Sequence, residues 1–150
     1  NHDMGRIGLQ LSKAVGQDQE KALLERAQLS NAMLLLLRGA PVIYYGDEVG
    51  MIGTGGDKEA RQDMFSTQVI DWQEEARIGS APIRSKSSFD ISHPLRSQIS
   101  ELQRIIKENP ALRTGVQQIR FADKGVFAVS RYANGKEYIV IFNSSDESLK

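Results

Sequence analysis

Two segments of the chain carry apolar residues at helical spacing. In residues 18–38 the apolar positions recur every three or four residues, and the second half is apolar on nearly every side. Asp18 suits the beginning of this helix and Gly39 suits its end. In residues 93–108 a narrower apolar stripe is formed by Leu95, Ile99, Leu102, Ile105 and Ile106. The spacing therefore predicts a deeply packed helix over 18–38 and an amphipathic helix over 93–108.

A short apolar run follows the first helix. Residues 41–45, "PVIYY", are apolar on both faces, which is typical of a strand in a parallel sheet that helices cover on both sides. Pro41 suits the first position of such a strand, because proline cannot donate a hydrogen bond inside a ladder. A helix, a tight turn and a doubly buried strand together predict an α/β unit.

Two other segments before residue 116 lack a regular period. Residues 1–17 contain Gly5, Gly8 and Gly16 and are predicted to be a loop. Residues 46–92 form a long irregular stretch. A connection of this length in a compact domain is usually a functional loop.

From residue 116 the apolar pattern changes to a period of two. The segments "VQQIRFAD", "GVFAVSRYA" and "KEYIVIFNS" are predicted to be three strands, with turns at "DKG" and "ANG". We therefore place a domain boundary at about residue 114. The sequence predicts an α/β domain over 1–114 and the start of an antiparallel β domain over 115–150.

Composition and charge exclude several classes of partner. The chain has 150 residues, with 19 basic and 19 acidic side chains and a formal net charge of zero. Nucleic-acid binders usually carry a basic excess, so no nucleic-acid partner is predicted. The apolar run 32–37 is far shorter than the ~18 residues of a membrane span, so no membrane partner is predicted either. Cysteine is absent, which excludes disulfides and thiolate metal sites.

The first candidate site follows the predicted strand. Tyr45, Gly46, Asp47 and Glu48 stand at its C-terminal end. Parallel α/β sheets and (β/α)8 barrels bind their ligands beyond the C-terminal ends of their strands. On the local pattern alone, the alternative is a simple turn with solvated acids.

The second candidate is "NHD" at residues 1–3, which offers an imidazole and a carboxylate side by side. The alternative is a polar turn. His93 stands beside Pro94 and is expected to cap a helix. No spacing typical of a metal site occurs, so no metal is predicted. The glycine-rich "GTGG" at 53–56 lacks the Gly-Lys-Ser/Thr of a phosphate loop.

The order of these motifs is more specific than each motif alone. "NHD" is followed by "GAPVIYYGDEVGM", then by "GGDKEARQDM", and then by a helix that begins "HPL" and leads into "KENPALRTG". In this order the chain resembles the C-terminal portion of the α-amylase superfamily, the retaining α-glucosidase and transglycosidase group. The resemblance covers nearly all 150 residues. It implies an α/β fold, namely the last part of a (β/α)8 barrel followed by part of an all-β C-terminal domain.

The resemblance implies a role for each residue of "NHD". Asp3 matches the carboxylate that stabilises the oxocarbenium-like transition state. His2 matches the histidine that hydrogen-bonds the glucose unit next to the scissile bond, and Asn1 orients the pair. The resemblance also implies that six further residues build or support the site: Tyr45, Gly46, Asp47, Glu48, Asp57 and Arg61. Arg6 receives no role.

Two groups of the family's mechanism have no counterpart in the chain. A retaining glycosidase needs a nucleophile and an acid/base about 5 Å apart. In the family these carboxyls follow strands 4 and 5, which lie upstream of the matched region. The chain is therefore expected to be a segment that works with a missing N-terminal part of the same protein. No cofactor is expected in this segment, and calcium is possible only in the upstream part.

Two functions from different classes follow. The first is a segment of a glycoside hydrolase acting on α-glucans or maltooligosaccharides, which supplies the transition-state-stabilising Asp3 and the substrate-binding His2. The alternative is a stand-alone, non-catalytic module that binds carbohydrate or protein. The abrupt ends of the chain favour the segment.

Overall fold

The computed structural model describes residues 5–53, 55–89, 91–145 and 147. The longer helices are α1 (Ile7–Val15), α2 (Glu20–Leu36) and α4 (Pro94–Glu108), and the short ones are α3 (Ile70–Glu74) and α5 (Pro110–Thr114). Two 3-10 turns cover Asp47–Val49 and Glu59–Arg61. The strands are β1 (Val116–Asp123), β2 (Val126–Ala133) and β3 (Lys136–Asn143). The two predicted helices are confirmed as α2 and α4, and the three predicted strands are confirmed as β1 to β3. The deep packing predicted for α2 is wrong, because only one face of the helix is buried and Leu34 is 41% exposed.

The predicted loop over residues 1–17 is wrong from residue 7 onward, because α1 lies there. The glycines that suggested a loop serve other purposes. A Cβ on Gly8 would lie 2.9 Å from the carbonyl oxygen of Met51, so Gly8 permits a close approach inside the helix. Gly16 adopts φ +96° directly after the last helical residue. It therefore marks the end of a helix, as glycine commonly does.

The predicted strand over 41–45 does not form. Residues 40–44 are neither helix nor strand, and a turn begins at Tyr45. A parallel strand exists only through hydrogen bonds to neighbouring strands. Among the described residues no segment pairs with this one, and Val42 is 77% exposed. The apolar pattern therefore lacks the partners that it requires.

The chain packs as two compact units, Asn1–Gln28 with Val42–Ile99 and Leu29–Pro41 with Ser100–Lys150. The first unit has a main core formed by Leu9, Leu23, Ala27, Ile52, Ile78 and Leu95. A smaller cluster is formed by Val49, the last residue of the 3-10 turn at 47–49, with Met51 and Met64. Both clusters contain residues of the irregular segment 46–92, so apolar contacts fix this segment within the first unit. The domain boundary near residue 114 stays a prediction.

The second unit contains a three-stranded antiparallel sheet in the order β1-β2-β3. Both hairpins turn through two residues with positive φ, Lys124–Gly125 and Asn134–Gly135, as expected for type I′ turns. Arg131 of β2 is buried, and its guanidinium donates to the carbonyl oxygens of Leu36 (2.9 Å), Arg113 (3.3 Å) and Gly115 (3.2 Å). Arg131 thus ties the sheet to the ends of α2 and α5.

Candidate functional site

The turn at residues 45–50 has a compact backbone that depends on glycine. The backbone N–H groups of Val49 and Met51 both donate to the carbonyl oxygen of Gly46, at 3.2 and 3.0 Å. Gly46 adopts φ +89°, in the left-handed region that favours glycine. A Cβ at this position would lie 2.3 Å from the sulfur of Met51. The turn therefore requires glycine for its conformation, and a Cβ would also force the Met51 side chain to shift.

Arg6 lies at the centre of the site, and its side chain is fully buried. Its Nη1 donates to the carbonyl oxygen of Tyr45 (2.7 Å) and to Oδ1 of Asp47 (2.8 Å). Its Nε donates to Oε1 of Gln62 (3.0 Å). The guanidinium carbon also lies 4.6 Å from the ring centroid of Tyr44 and 5.3 Å from that of Tyr45. These contacts fix the guanidinium by charge, by hydrogen bonds and by cation–π attraction.

Asp47 is the carboxylate partner of Arg6. Burial raises the pKa of Asp47 above its usual range, and the guanidinium of Arg6 opposes that shift by its charge and its hydrogen bond. Its Oδ1 is occupied by the hydrogen bond from Nη1 of Arg6 at 2.8 Å. The geometry therefore indicates a supporting part for Asp47.

Glu48 points to different partners from those of its neighbour in sequence. Its Oε2 accepts a hydrogen bond from the backbone N–H of Gly46 at 2.7 Å, and its Oε1 lies 3.7 Å from Nη2 of Arg96. Arg96 in turn donates to the carbonyl oxygens of Ser88 (3.3 Å), Phe89 (2.7 Å) and Ile91 (3.0 Å). Glu48 thus connects the turn to the segment that leads into α4.

Asp57 and Arg61 form an ion pair of 2.5 Å at the surface of the loop, with side chains 53% and 49% exposed. An exposed pair of this kind contributes about 0–1 kcal/mol. Asn1, His2 and Asp3 lie outside the described residues. The structure thus brings Tyr45, Gly46 and Asp47 together around Arg6, and it places Asp57 and Arg61 in a separate surface pair.

The sequence did not reveal Arg6 and Gln62 as members of the site. Gln62 is buried, accepts from Arg6 and donates through Nε2 to Glu75. One signal could have suggested a cation at this place. Two adjacent acids after an apolar run need positive partners when they are not solvated. The sequence alone does not show which of the 19 basic residues supplies them.

His93 confirms its predicted role as a helix cap. It is buried, and its Nδ1 accepts a hydrogen bond from the backbone N–H of Leu95 at 3.2 Å. Burial lowers the pKa of His93, and the charges of Arg77 and Arg96 lower it further. The neutral imidazole is therefore the form that serves as the cap.

Within the described ranges, no group of three or more His, Cys, Asp or Glu side chains is arranged to hold a metal ion. None of the described helices is long and apolar enough to cross a membrane.

The family model for the alpha amylase catalytic domain matches residues 1–118. An alpha-amylase from Streptomyces lividans is 44% identical over 149 residues, which cover 97% of this chain and 16% of the relative. A cyclomaltodextrinase from Thermoanaerobacter pseudethanolicus is 33% identical over 125 residues, which cover 83% of this chain and 18% of the relative.

Solved structures agree with this match. An alpha-amylase from H. orenii superposes with a TM-score of 0.63 at 27% identity, over 94% of this chain and 28% of that one. A debranching enzyme from Nostoc punctiforme shares the fold, with a TM-score of 0.61 at 24% identity, over 99% of this chain and 24% of that one. The chain spans about a sixth of the Streptomyces relative. The predicted fold class, part of a (β/α)8 barrel followed by the start of a β domain, is confirmed. With a match over residues 1–118, the chain belongs to the alpha-amylase catalytic domain family.

Proposed function

We propose that the chain is a segment of a retaining glycoside hydrolase that acts on α-glucans. The observation that carries this proposal is the family match over residues 1–118, which includes both "NHD" and "YYGDE". The names of the relatives support the substrate class, since they include alpha-amylases and a cyclomaltodextrinase. The substrate is therefore an α-glucan or a maltooligosaccharide.

In this proposal Asp3 stabilises the positive charge that develops on the sugar in the transition state. His2 hydrogen-bonds the glucose unit beside the scissile bond, and Asn1 orients the two. Motif similarity supports these roles. A fixed negative charge near a developing cation interacts more strongly with the transition state than with the bound substrate.

The acids of "YYGDE" support the site rather than perform chemistry. Asp47 is paired with buried Arg6, and Glu48 accepts from Gly46 and lies near Arg96. Retaining hydrolysis requires two carboxyls about 5–5.5 Å apart on either side of one bond. Asp47 and Glu48 face different partners, so they do not form that pair. Asp57 and Arg61 contribute to the rim of the loop.

The nucleophile and the acid/base then come from an upstream part of the same protein. We accordingly propose that the 150-residue chain alone does not cleave α-glucans. The test is the release of reducing sugar from maltooligosaccharides by the purified chain, with the full-length protein measured in parallel. Turnover by the chain alone that disappears on Asp3→Asn would contradict the proposal.

The roles within the proposal are tested in the full-length protein by Asp3→Asn, which keeps the size of the side chain and removes its charge. We expect kcat to fall by about 10²–10³-fold, as on removal of one preorganised electrostatic group. His2→Ala should raise KM as well as lower kcat, because its hydrogen bonds also exist with bound substrate. Asp18→Asn, in the loop before α2, is the matched control. A near-normal kcat in Asp3→Asn together with an inactive Glu48→Gln would reverse the assignment.

A further inference from the structure

A hollow of about 350 Å³ lies in the irregular segment 46–92, within the first unit. Its volume is in the range of pockets that bind small ligands. One side is formed at the 3-10 turn Glu59–Arg61, and the other is formed by α3 and the residues next to it. We call it the Trp72 hollow, after the only tryptophan of the chain. The residues that line it are Lys58, Glu59, Val69, Asp71, Trp72 and Glu75.

Buried Thr67 fixes the α3 side of the Trp72 hollow. Its Oγ1 accepts a hydrogen bond from the backbone N–H of Val69 at 3.1 Å, and its carbonyl oxygen accepts from Nε2 of Gln73 at 2.8 Å. The N–H of Trp72 donates to the carbonyl oxygen of Val69 at 3.1 Å. Because these bonds hold the backbone that carries Trp72, this side of the hollow is formed before any ligand binds.

Glu75 connects the Trp72 hollow to the turn at residues 45–50. Its Oε2 accepts a hydrogen bond from Nε2 of Gln62, and Oε1 of Gln62 accepts from Nε of Arg6 at 3.0 Å. Arg6 donates in turn to Tyr45 and Asp47. Gln62 and Arg6 are 3% and 2% exposed, so the connection is shielded from water. The hollow and the turn therefore belong to one hydrogen-bonded structure.

The charges around the Trp72 hollow are unfavourable for anions. Carboxylates of three residues line it, whereas Lys58 supplies the single ammonium group. A carboxylate can only accept hydrogen bonds, so a ligand must bring the donors. In the part of the chain that the structure describes, acidic side chains are not grouped to hold a metal ion. The hollow therefore suits a neutral ligand with several hydroxyl groups.

Trp72 adds an apolar surface beside these acceptors. Its side chain is half-buried, so part of the indole is accessible from the hollow. An indole offers a large, flat apolar surface. A pyranose ring carries C–H groups on its faces and hydroxyl groups around its edge. One aromatic surface with carboxylates next to it matches both properties of a sugar ring.

We propose that the Trp72 hollow is a subsite for a glucose unit of the α-glucan, other than the unit beside the scissile bond. The proposal rests on the function proposed above, in which the substrate is an α-glucan. The indole of Trp72 packs against the pyranose ring, and Asp71 and Glu59 accept hydrogen bonds from its hydroxyl groups. Contacts remote from the reacting bond are the same in the bound substrate and in the transition state. They therefore lower KM and leave kcat unchanged.

The test is the steady-state kinetics of the full-length protein and its Trp72→Ala variant on oligosaccharides from maltose to maltoheptaose. For substrates long enough to reach the hollow, we expect the variant to raise KM about 10-fold with little change in kcat. Shorter substrates should show no change. Ile70→Ala is the matched control and should keep KM at every length. Ile70 lies in the same helix and is 71% exposed, but it does not line the hollow.

An unchanged KM in Trp72→Ala at every length would overturn the inference. A loss of kcat that is equal at every length would also overturn it, because it would show a structural role. If the wild type cleaves none of these oligosaccharides, the proposed function is contradicted instead.

A second variant keeps the inference testable if the melting temperature shows that Trp72→Ala does not fold. Asp71→Ala changes an exposed side chain and removes one acceptor of the hollow. It should give the same dependence on substrate length with a smaller rise in KM, about 3-fold. A KM equal to that of the wild type at every length would overturn the inference.

Discussion

The guanidinium of Arg6 and the carboxylate of Asp47 form an ion pair of 2.8 Å across 41 residues of sequence. The arginine side chain is fully buried, and the aspartate side chain is 17% exposed. Removing one partner of a buried pair leaves a charge without compensation, which is more costly than losing a pair in water. The pair is therefore a place where a change of one charge should have a measurable effect on folding.

Asp47→Asn should lower the free energy of unfolding by about 3 kcal/mol, because it leaves the Arg6 charge buried and unneutralised. Asp57→Asn is the matched control for stability, since it breaks an exposed Asp–Arg pair that contributes about 0–1 kcal/mol. Denaturant unfolding of the full-length protein measures both. Equal losses in the two variants would show that the Arg6–Asp47 pair is solvated in the whole protein.

Gly46→Ala should lower the free energy of unfolding more than Gly135→Ala, which replaces a glycine of similar backbone conformation. Gly46 and Gly135 both have positive φ, +89° and +74°. A Cβ at Gly46 meets the sulfur of Met51 at 2.3 Å, whereas a Cβ at Gly135 has no atom of the described chain within 4 Å. Gly135→Ala therefore isolates the backbone strain of about 1–2 kcal/mol.

We expect Gly46→Ala to exceed that value and also to lower activity, because the turn carries Asp47 and Glu48. Unfolding midpoints and kcat of the two variants make the comparison. If both glycine variants lose the same stability and keep the same kcat, the contact with Met51 is unimportant.

Only part of this site could be read from the sequence. The segment after "PVIYY" was predicted to belong to the site because α/β folds bind ligands beyond the C-terminal ends of their strands. Its glycine and its two acids do lie in one turn. Arg6 could not be found, because its partners lie 39, 41 and 56 residues further along and no local pattern encodes such contacts. A periodic pattern reports only on residues a few positions apart, whereas the burial of a cation depends on the tertiary structure.

His93 should make stability depend on pH. An unfolded histidine takes up a proton near pH 6.5, whereas the buried His93 does so only at lower pH. As the pH falls from about 7, the unfolded state binds more protons than the folded state, so the free energy of unfolding decreases until the lowered pKa is reached. His93→Asn keeps a cap for α4 and cannot titrate in this range.

The measurement is denaturant unfolding at pH 7, 6 and 5 for the wild type and His93→Asn in the full-length protein. The wild type should lose more stability over this range than the variant. Parallel pH profiles would mean that His93 has an ordinary pKa in the folded protein.

Arg131→Met should destabilise the sheet unit, because it removes the donor for three carbonyl oxygens while keeping a side chain of similar length. Each buried acceptor left without a partner costs about 1–3 kcal/mol. Arg104→Met on the exposed face of α4 is the control and should change the unfolding midpoint little. An unchanged midpoint in Arg131→Met would show that water replaces the guanidinium.

The sequence predicted the fold best in segments whose structure depends on residues near one another in the chain. The helices α2 and α4 and the hairpins β1–β2 and β2–β3 repeat a period over many residues, and their turns contain Lys124–Gly125 and Asn134–Gly135. Helix α1 was missed because glycine weakens a helix prediction, although Gly8 is present for close contact with Met51. The strand at 41–45 was predicted wrongly because a strand is a property of its neighbours as well as of its own residues.

The hydrogen bonds of Arg131 also limit where this chain can be truncated or joined to a segment of a relative. Residues 29–41 pack in one unit with residues 100–150, and the guanidinium reaches from β2 to the last turn of α2. A cut between residues 114 and 115 would pass through this unit and leave the carbonyl oxygen of Leu36 without its donor. An exchange of the segment β1–β3 between members of this family would therefore preserve this hydrogen bond only if the residue at position 131 is exchanged together with the end of α2.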